Sequence, residues 1–355
     1  MHFSKRFTYT LIIFLTLILS IIKIEKLYYE KNKYDEISPL IITLSGGRLT
    51  KEEKIYISKI NPFGFILFAN NLYSKPQVKK LIRDIKKTLK RSNIFFMIDQ
   101  EGGQVARLKE IYRKDYKPLS YFGNLYRKDQ EKAKKEIFEY AKETAKEMRD
   151  LGLNLNLSPV VDLRNTSLVI DENPNNVQSR TISDDIEATI ALAREYNCGL
   201  MENNVYSCMK HLPGLGSCYN DTHKEKCTVD SSLEELKSSD FLPFKELANE
   251  FKFGLIGLAI YTAIDSENVA VFSKPLLKII RKEIGFKGLI ISDALSMGAV
   301  KDFPINERVL KALQVGVDVA MIDDATLLEA LAIKNSLPKL KVRFFNIKLK
   351  RLGLR

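Results

Sequence analysis

Histidine and cysteine are both scarce in this chain: of 355 residues, three are histidine and four are cysteine. The cysteines, Cys198, Cys208, Cys218 and Cys227, crowd into one short stretch, too few and too local to build a fold from disulfides. No Pro- or Ser-rich linker interrupts the chain after Ser38, which argues against a string of separate domains. Blocks of one charge sign are missing from most of it as well. The formal net charge is +12, but the lysines are interleaved with glutamates along helix-like segments, as on solvated helix faces. With no recognisable nucleic-acid-binding module, no nucleic-acid partner is expected. The basic stretch Lys339–Arg355 reads as a tail, either solvated or lying on anionic lipid. What is present is an apolar fraction of 45%, enough for a substantial core.

The N-terminus differs from the rest. After Lys5 and Arg6, residues Phe7 to Ile22 carry no charge and are mostly Leu, Ile, Phe and Thr, ending at Lys23. This reads as a membrane-targeting segment. It is slightly short for a spanning helix, which needs roughly 17–25 residues, although Lys23 can snorkel, and no small-x-small cleavage site follows. An uncleaved anchor is favoured over a removed signal peptide. Residues 1–35 are thus read as a targeting segment and linker, 36–338 as one folded domain and 339–355 as the tail. The expected location is the cell envelope with an extracytoplasmic domain, or the cytoplasm if the segment does not direct export.

From Ser38 onward, short apolar runs alternate with longer amphipathic stretches. The expected strands are Leu40–Leu44, Phe63–Phe68, Ile94–Ile98, Leu153–Leu157, Val205–Met209, Gly254–Ile260, Gly288–Ile291 and Val319–Ile322. Helix-like segments fall near 51–60, 76–91, 129–150, 184–197, 231–250, 275–284, 306–315 and 326–335, with capping boxes at Thr50/Glu53 and Ser231/Glu234. Eight strand–helix units predict an α/β fold, a single (β/α)8 TIM-type barrel, with a doubly wound open sheet as the alternative. A barrel collects its chemistry just after the strands. Asp99, Asp162, Lys210 and His211, and Asp293 all follow expected strands.

Two of the three histidines lie in one Gly- and Pro-rich segment, Lys210-His211-Leu212-Pro213-Gly214-Leu215-Gly216 and then Asp221-Thr222-His223. Histidine can both give and take a proton near neutrality, so this placement beside an aspartate points to acid–base chemistry. In Asp99-Gln100-Glu101-Gly102-Gly103, with Arg107 beyond it, two acids and a guanidinium flank a Gly-Gly turn. That arrangement suits either hydroxyl recognition or an ordinary capped turn.

Asp99-Gln100-Glu101-Gly102-Gly103, Ser158-Pro159-Val160-Val161-Asp162, Lys210-His211-Leu212-Pro213-Gly214, Asp221-Thr222-His223 and Ser292-Asp293-Ala294-Leu295-Ser296-Met297 occur in that order. Together with Gly64–Asn71, this resembles a bacterial β-N-acetylhexosaminidase of glycoside hydrolase family 3. The resemblance implies a retaining glycosidase with Asp293 as nucleophile and His223, oriented by Asp221, as acid and base. It assigns sugar binding to Asp99, Arg107, Arg180, Lys210 and His211. Asp162 and Glu101 are expected to organise the rim. The substrate would be an N-acetylglucosamine-containing glycan or muropeptide, and neither a metal nor an organic cofactor is implied. This chain departs from the family by having Leu215 where a second histidine is common.

Other readings stay open at this level. Cys208, His211, Cys218, His223 and Cys227 permit a zinc site, while Cys218 and Cys227 could instead form a disulfide across the histidine loop. A histidine acid/base does not repel phosphate as a carboxylate would, which allows a β-N-acetylglucosaminide phosphorylase. A non-catalytic, membrane-anchored glycan-binding protein is a third reading.

Overall fold

The computed structural model describes residues 36–165 and 177–354. The expected anchor at residues 7–22 lies outside them.

Among the described residues, eight parallel strands form one sheet: β1 Ser38–Ile42, β2 Pro62–Ile66, β3 Phe95–Ile98, β4 Leu155–Asn156, β5 Tyr206–Leu212, β6 Phe253–Ile256, β7 Leu289–Ser292 and β8 Ala320–Ile322. Apart from Tyr206 every strand residue is buried. This is why the sequence shows continuous apolar runs rather than alternation: helices cover one face of each strand and the enclosed core covers the other. Successive strands pair in chain order, and β1 also pairs with β8. At the last seam, Ile291 bridges Val319, the Ser292 N–H donates to Val319 O at 2.9 Å, and the Val319 N–H donates to Ile290 O at 3.1 Å. The sheet therefore curls into a nearly closed, TIM-type barrel rather than spreading into a doubly wound layer.

Three expectations need correction. The run Gly254–Ile260 is not one strand. Only Phe253–Ile256 joins the barrel, and Ala259–Tyr261 enters a small separate sheet with Cys227–Val229 and Asp265–Val269. The segment 231–250 holds two short helices, Leu233–Ser238 and Leu242–Leu247, because Ser239 leaves helical geometry and Pro243 suits only the first turn of a new helix. Its capping box is Ser232/Glu235, one residue beyond the expected pair, whereas Thr50/Glu53 is as read.

The two ends of the barrel differ. At the N-terminal ends of the strands, Phe63, Phe95 and Phe253 pack face and edge at 4.7–6.4 Å, with Tyr206 beside them. The basic stretch read as a tail is a helix, Lys339–Arg351, that covers this mouth. Its Phe345 meets Phe63 edge-on at 5.6 Å, and Lys348 pairs with Asp318 at 2.7 Å. Burying one such phenylalanine stabilises the docked helix by about 1.5–3 kcal/mol. The opposite end is left to the chemistry.

Candidate active site

β3 delivers Asp99 to the C-terminal rim, and the chain then doubles back as a hairpin of Gln100–Gly102 and Val105–Ala106. Gln100 closes that hairpin by accepting the Leu108 N–H at 3.0 Å, which sets Arg107 at its exit. The Arg107 Nε is buried without a hydrogen-bond partner among the described residues, a donor left for something in the cavity that Arg107 lines. Lys210, near the end of β5, reaches across the barrel to Asp99 at 2.9 Å and to Glu101 at 2.5 Å. Arg180 grips the same Glu101 with two bonds, Nε at 2.8 Å and a terminal nitrogen at 2.7 Å. The Lys210 and Glu101 side chains are only 3% and 2% exposed, so this is a buried cluster and not a screened surface pair. Burial pushes the Glu101 carboxyl up, but Arg180 and Lys210 outweigh it and hold it well below the usual carboxylate range. Burial likewise works against the Lys210 ammonium, and Asp99 and Glu101 reverse that, leaving its pKa raised.

His211 follows Lys210 directly. Consecutive strand residues normally face opposite ways, but the pairing of β5 with β6 slips between Lys210 and Leu212, and both Lys210 and His211 line the cavity. Fully buried Asp162 fixes the histidine: its carboxylate meets Nδ1 at 2.6 Å and accepts the His211 N–H at 3.1 Å and the Leu215 N–H at 2.6 Å. The other ring nitrogen, Nε2, is left for the cavity.

The second histidine sits differently. The His223 side chain is 44% exposed where that of His211 is 6% exposed. Its Nδ1 lies 2.7 Å from Asp221, which also accepts the His223 N–H at 3.0 Å. The loop carrying it is tied down in three places. Gly214, at φ +139, lets the chain pass so close to Asp240 that a side-chain carbon there would lie 2.6 Å from the Asp240 carbonyl. A disulfide joins Cys218 to Cys227 on either side of the Asp221–His223 segment. Finally, the Gly298 N–H donates to His223 O at 2.9 Å and the Ala299 N–H to Thr222 O at 3.2 Å. Gly298 has no room for a β-carbon, which would sit 2.0 Å from the Lys224 carbonyl. Those two N–H groups belong to the loop that follows Asp293 at the tip of β7. The Asp293 N–H donates to Ile256 O at 3.0 Å, and one carboxylate oxygen accepts the Ala294 N–H at 2.8 Å. Asp293 is thus oriented with its second oxygen uncommitted to that bond.

Asp99, Arg107, Arg180, Lys210, His211, Asp221, His223 and Asp293 all line one cavity of about 680 Å³, within the size range of small-ligand sites. Glu101 lines it too, while Asp162 acts through His211. Asp323, which the sequence reading passed over, also lines the cavity. Burial raises its carboxyl pKa, opposed by a hydrogen bond from Ser296, and its Oδ1 is buried without a partner among the described residues. The signal that finds it is the same strand-end rule, since Asp323 directly follows the run Val319–Ile322. Of the residues weighed for zinc, Cys218 and Cys227 are bonded to each other and each histidine is held by a carboxylate. No group of three metal-binding side chains is assembled among the described residues.

Comparison with known proteins places this arrangement. Residues 25–352 match the model for the glycosyl hydrolase family 3 N-terminal domain. The β-hexosaminidase of Glaesserella parasuis serovar 5 is 32% identical over 290 residues, covering 80% of this chain and 80% of the relative. The NagZ of Neisseria gonorrhoeae, solved in complex with N-trifluoroacetyl-D-glucosamine, is 25% identical with a TM-score of 0.72, covering 90% of this chain and 98% of that one. A family 3 β-N-acetylglucosaminidase from Paenibacillus sp. FPU-7 shares the fold at TM-score 0.75 and 23% identity, with 89% of this chain covered and 61% of that one.

Proposed function

Because this chain belongs to glycosyl hydrolase family 3 and is a glycoside hydrolase, we propose that it removes terminal β-linked N-acetylglucosamine with retention at the anomeric carbon, acting on muropeptides derived from peptidoglycan. The observation that carries this reading is the joining of two loops. The segment bearing His223 is hydrogen-bonded through its own carbonyls to the segment that follows Asp293, and both side chains line one cavity.

The chemistry follows from the groups. The free oxygen of Asp293 attacks the anomeric carbon while protonated His223 gives its Nε2 proton to the departing oxygen; the glycosidic bond breaks and an ester forms. Neutral His223 then takes a proton from water, whose oxygen attacks the same carbon and releases the Asp293 carboxylate. Two inversions leave the configuration unchanged. Asp221 accepts from Nδ1, which keeps Nε2 as the working nitrogen and stabilises the imidazolium. Asp99 offers an acceptor for sugar hydroxyls, and Arg107, Lys210 and His211 Nε2 offer donors. Arg180 holds Glu101, and Glu101 in turn keeps Lys210 charged and in place.

Asp293→Ala should abolish turnover. His223→Ala should lose on the order of 10²–10⁴-fold against substrates with poor leaving groups and far less against activated aryl glycosides, which need little protonation. Equal losses on both would remove His223 from the acid role. Release of free N-acetylglucosamine from defined muropeptide fragments tests the substrate. An imidazole in place of a second carboxylate also suits an incoming phosphate, so the assay is run with and without phosphate. Sugar 1-phosphate among the products would make the enzyme a phosphorylase.

A further inference from the structure

We propose that the C-terminal helix Lys339–Arg351 is a docking surface for anionic phospholipid, lying flat on a membrane at the end of the barrel opposite the active site. The helix has two apolar faces, and only one is used by the fold. Phe345 and Leu349 are buried against the barrel mouth. Leu340, Phe344 and Ile347 stand at i, i+4 and i+7 on the other side, 60%, 58% and 37% exposed. Three large apolar side chains in one exposed row on a helix are not the scattered surface hydrophobics of an ordinary protein.

Charge selects the occupant. The helix carries Lys339, Lys341, Arg343, Lys348, Lys350 and Arg351 and no acidic residue. Lys348 is committed to Asp318 and Lys341 donates to Leu313 O, but Arg343, Lys350 and Arg351 are exposed around the apolar row. An exposed apolar stripe bordered by cations is the pattern of a helix seated in the plane of a lipid interface, where each nearby Lys or Arg contributes about 1 kcal/mol on an anionic surface. The same end of the barrel presents Lys90 and Lys287 in exposed turns that precede strands. Of the acids near this end, Asp318 is paired with Lys348 and Arg281, Glu250 with Arg194 and Glu283 with Lys237, while Glu36 and Glu202 are exposed. The chain also enters β1 at Ser38 from this end. Docked in this way, the enzyme would hold its cavity away from the lipid.

Tryptophan is absent from the sequence, so Phe344→Trp in the full chain gives a single fluorescent reporter at an exposed position. With vesicles of equal parts phosphatidylglycerol and phosphatidylcholine, its emission should shift to the blue and be quenched by brominated acyl chains. With phosphatidylcholine alone it should not shift, even where the N-terminal run attaches the protein. Arg343→Glu combined with Lys350→Glu should remove the shift while leaving turnover of a soluble aryl glycoside unchanged. Leu340→Trp provides an independent reporter on the same row. Unchanged emission on anionic vesicles, or an equal shift on neutral ones, would overturn the proposal. A shift without lipid that grows with protein concentration would do so too, by assigning the face to a second copy of the chain.

Discussion

At Glu101 burial and charge pull in opposite directions, and two cations decide the outcome. Removing the charge in Glu101→Gln would leave Arg180 and Lys210 buried without their shared anion, at a cost of about 3–5 kcal/mol in urea unfolding. Its folded pKa is depressed, so the stability it contributes is present above the unfolded value of about 4.3 and is lost as pH falls from there toward the folded value. The wild-type midpoint should therefore drop more steeply than that of Glu101→Gln below about pH 4. Asp323 has the opposite sign. Its raised carboxyl favours the folded state most below the unfolded value of about 3.9, and that advantage disappears as pH rises through the folded pKa. Asp323→Asn should become more stable relative to wild type as pH is raised to neutrality, and a gap that narrows instead would refute the burial argument. The strand-end rule reached Asp99, Asp162, Lys210, His211 and Asp293 from sequence because a parallel barrel presents those positions together. The pairing of Glu101 with Arg180 and Lys210 was not legible, since it joins residues 79 and 109 positions apart, the latter being 210 minus 101, whose meeting depends on barrel curvature.

Elements were legible where burial is two-sided and less so where the chain turns. Runs such as Phe95–Ile98 and Leu289–Ser292 announce themselves because neither face reaches water. Gly254–Ile260 looked like one more such run, yet Gly257 donates to Leu212 O and the chain leaves the barrel there, a departure set by tertiary contact and not by composition. On the proposed mechanism, the loop from Gly214 to Cys227 is the element on which turnover depends. A methyl group at Gly298 would collide with the Lys224 carbonyl and push the His223 segment away from Asp293. Displacement of about 1 Å in a catalytic group can cost on the order of 10²-fold, so Gly298→Ala should lower kcat by about that factor on poor leaving groups. Its unfolding midpoint should change little in comparison. Opening the Cys218–Cys227 bond, by reductant or by Cys218→Ser with Cys227→Ser, should act on the same step: kcat on poor leaving groups falls while the barrel's far-ultraviolet circular dichroism stays intact. Reduction without effect on any substrate would show that the hydrogen bonds to Gly298 and Ala299 hold the loop unaided.

At the largest scale, the barrel is polar in its organisation. Phenylalanines and the C-terminal helix close one end of the barrel, and ionised groups gather at the other. Alternation of strand and helix made the α/β architecture readable, and the β7–β8 bridge supplies the closure that alternation cannot prove. The covering helix was hidden in the sequence by its own lysines, which outweigh Phe345 and Leu349 in any reading by composition. At this scale the account stands or falls with a covalent bond at the open end. A fluorinated N-acetylglucosaminyl fluoride forms the ester readily, because fluoride leaves easily, and hydrolyses slowly, because fluorine on the ring disfavours the cationic transition state. Peptide mass mapping after brief reaction should find the sugar on the fragment containing Asp293 and nowhere else. The sugar on another residue, or no adduct together with a product of inverted configuration, would contradict it.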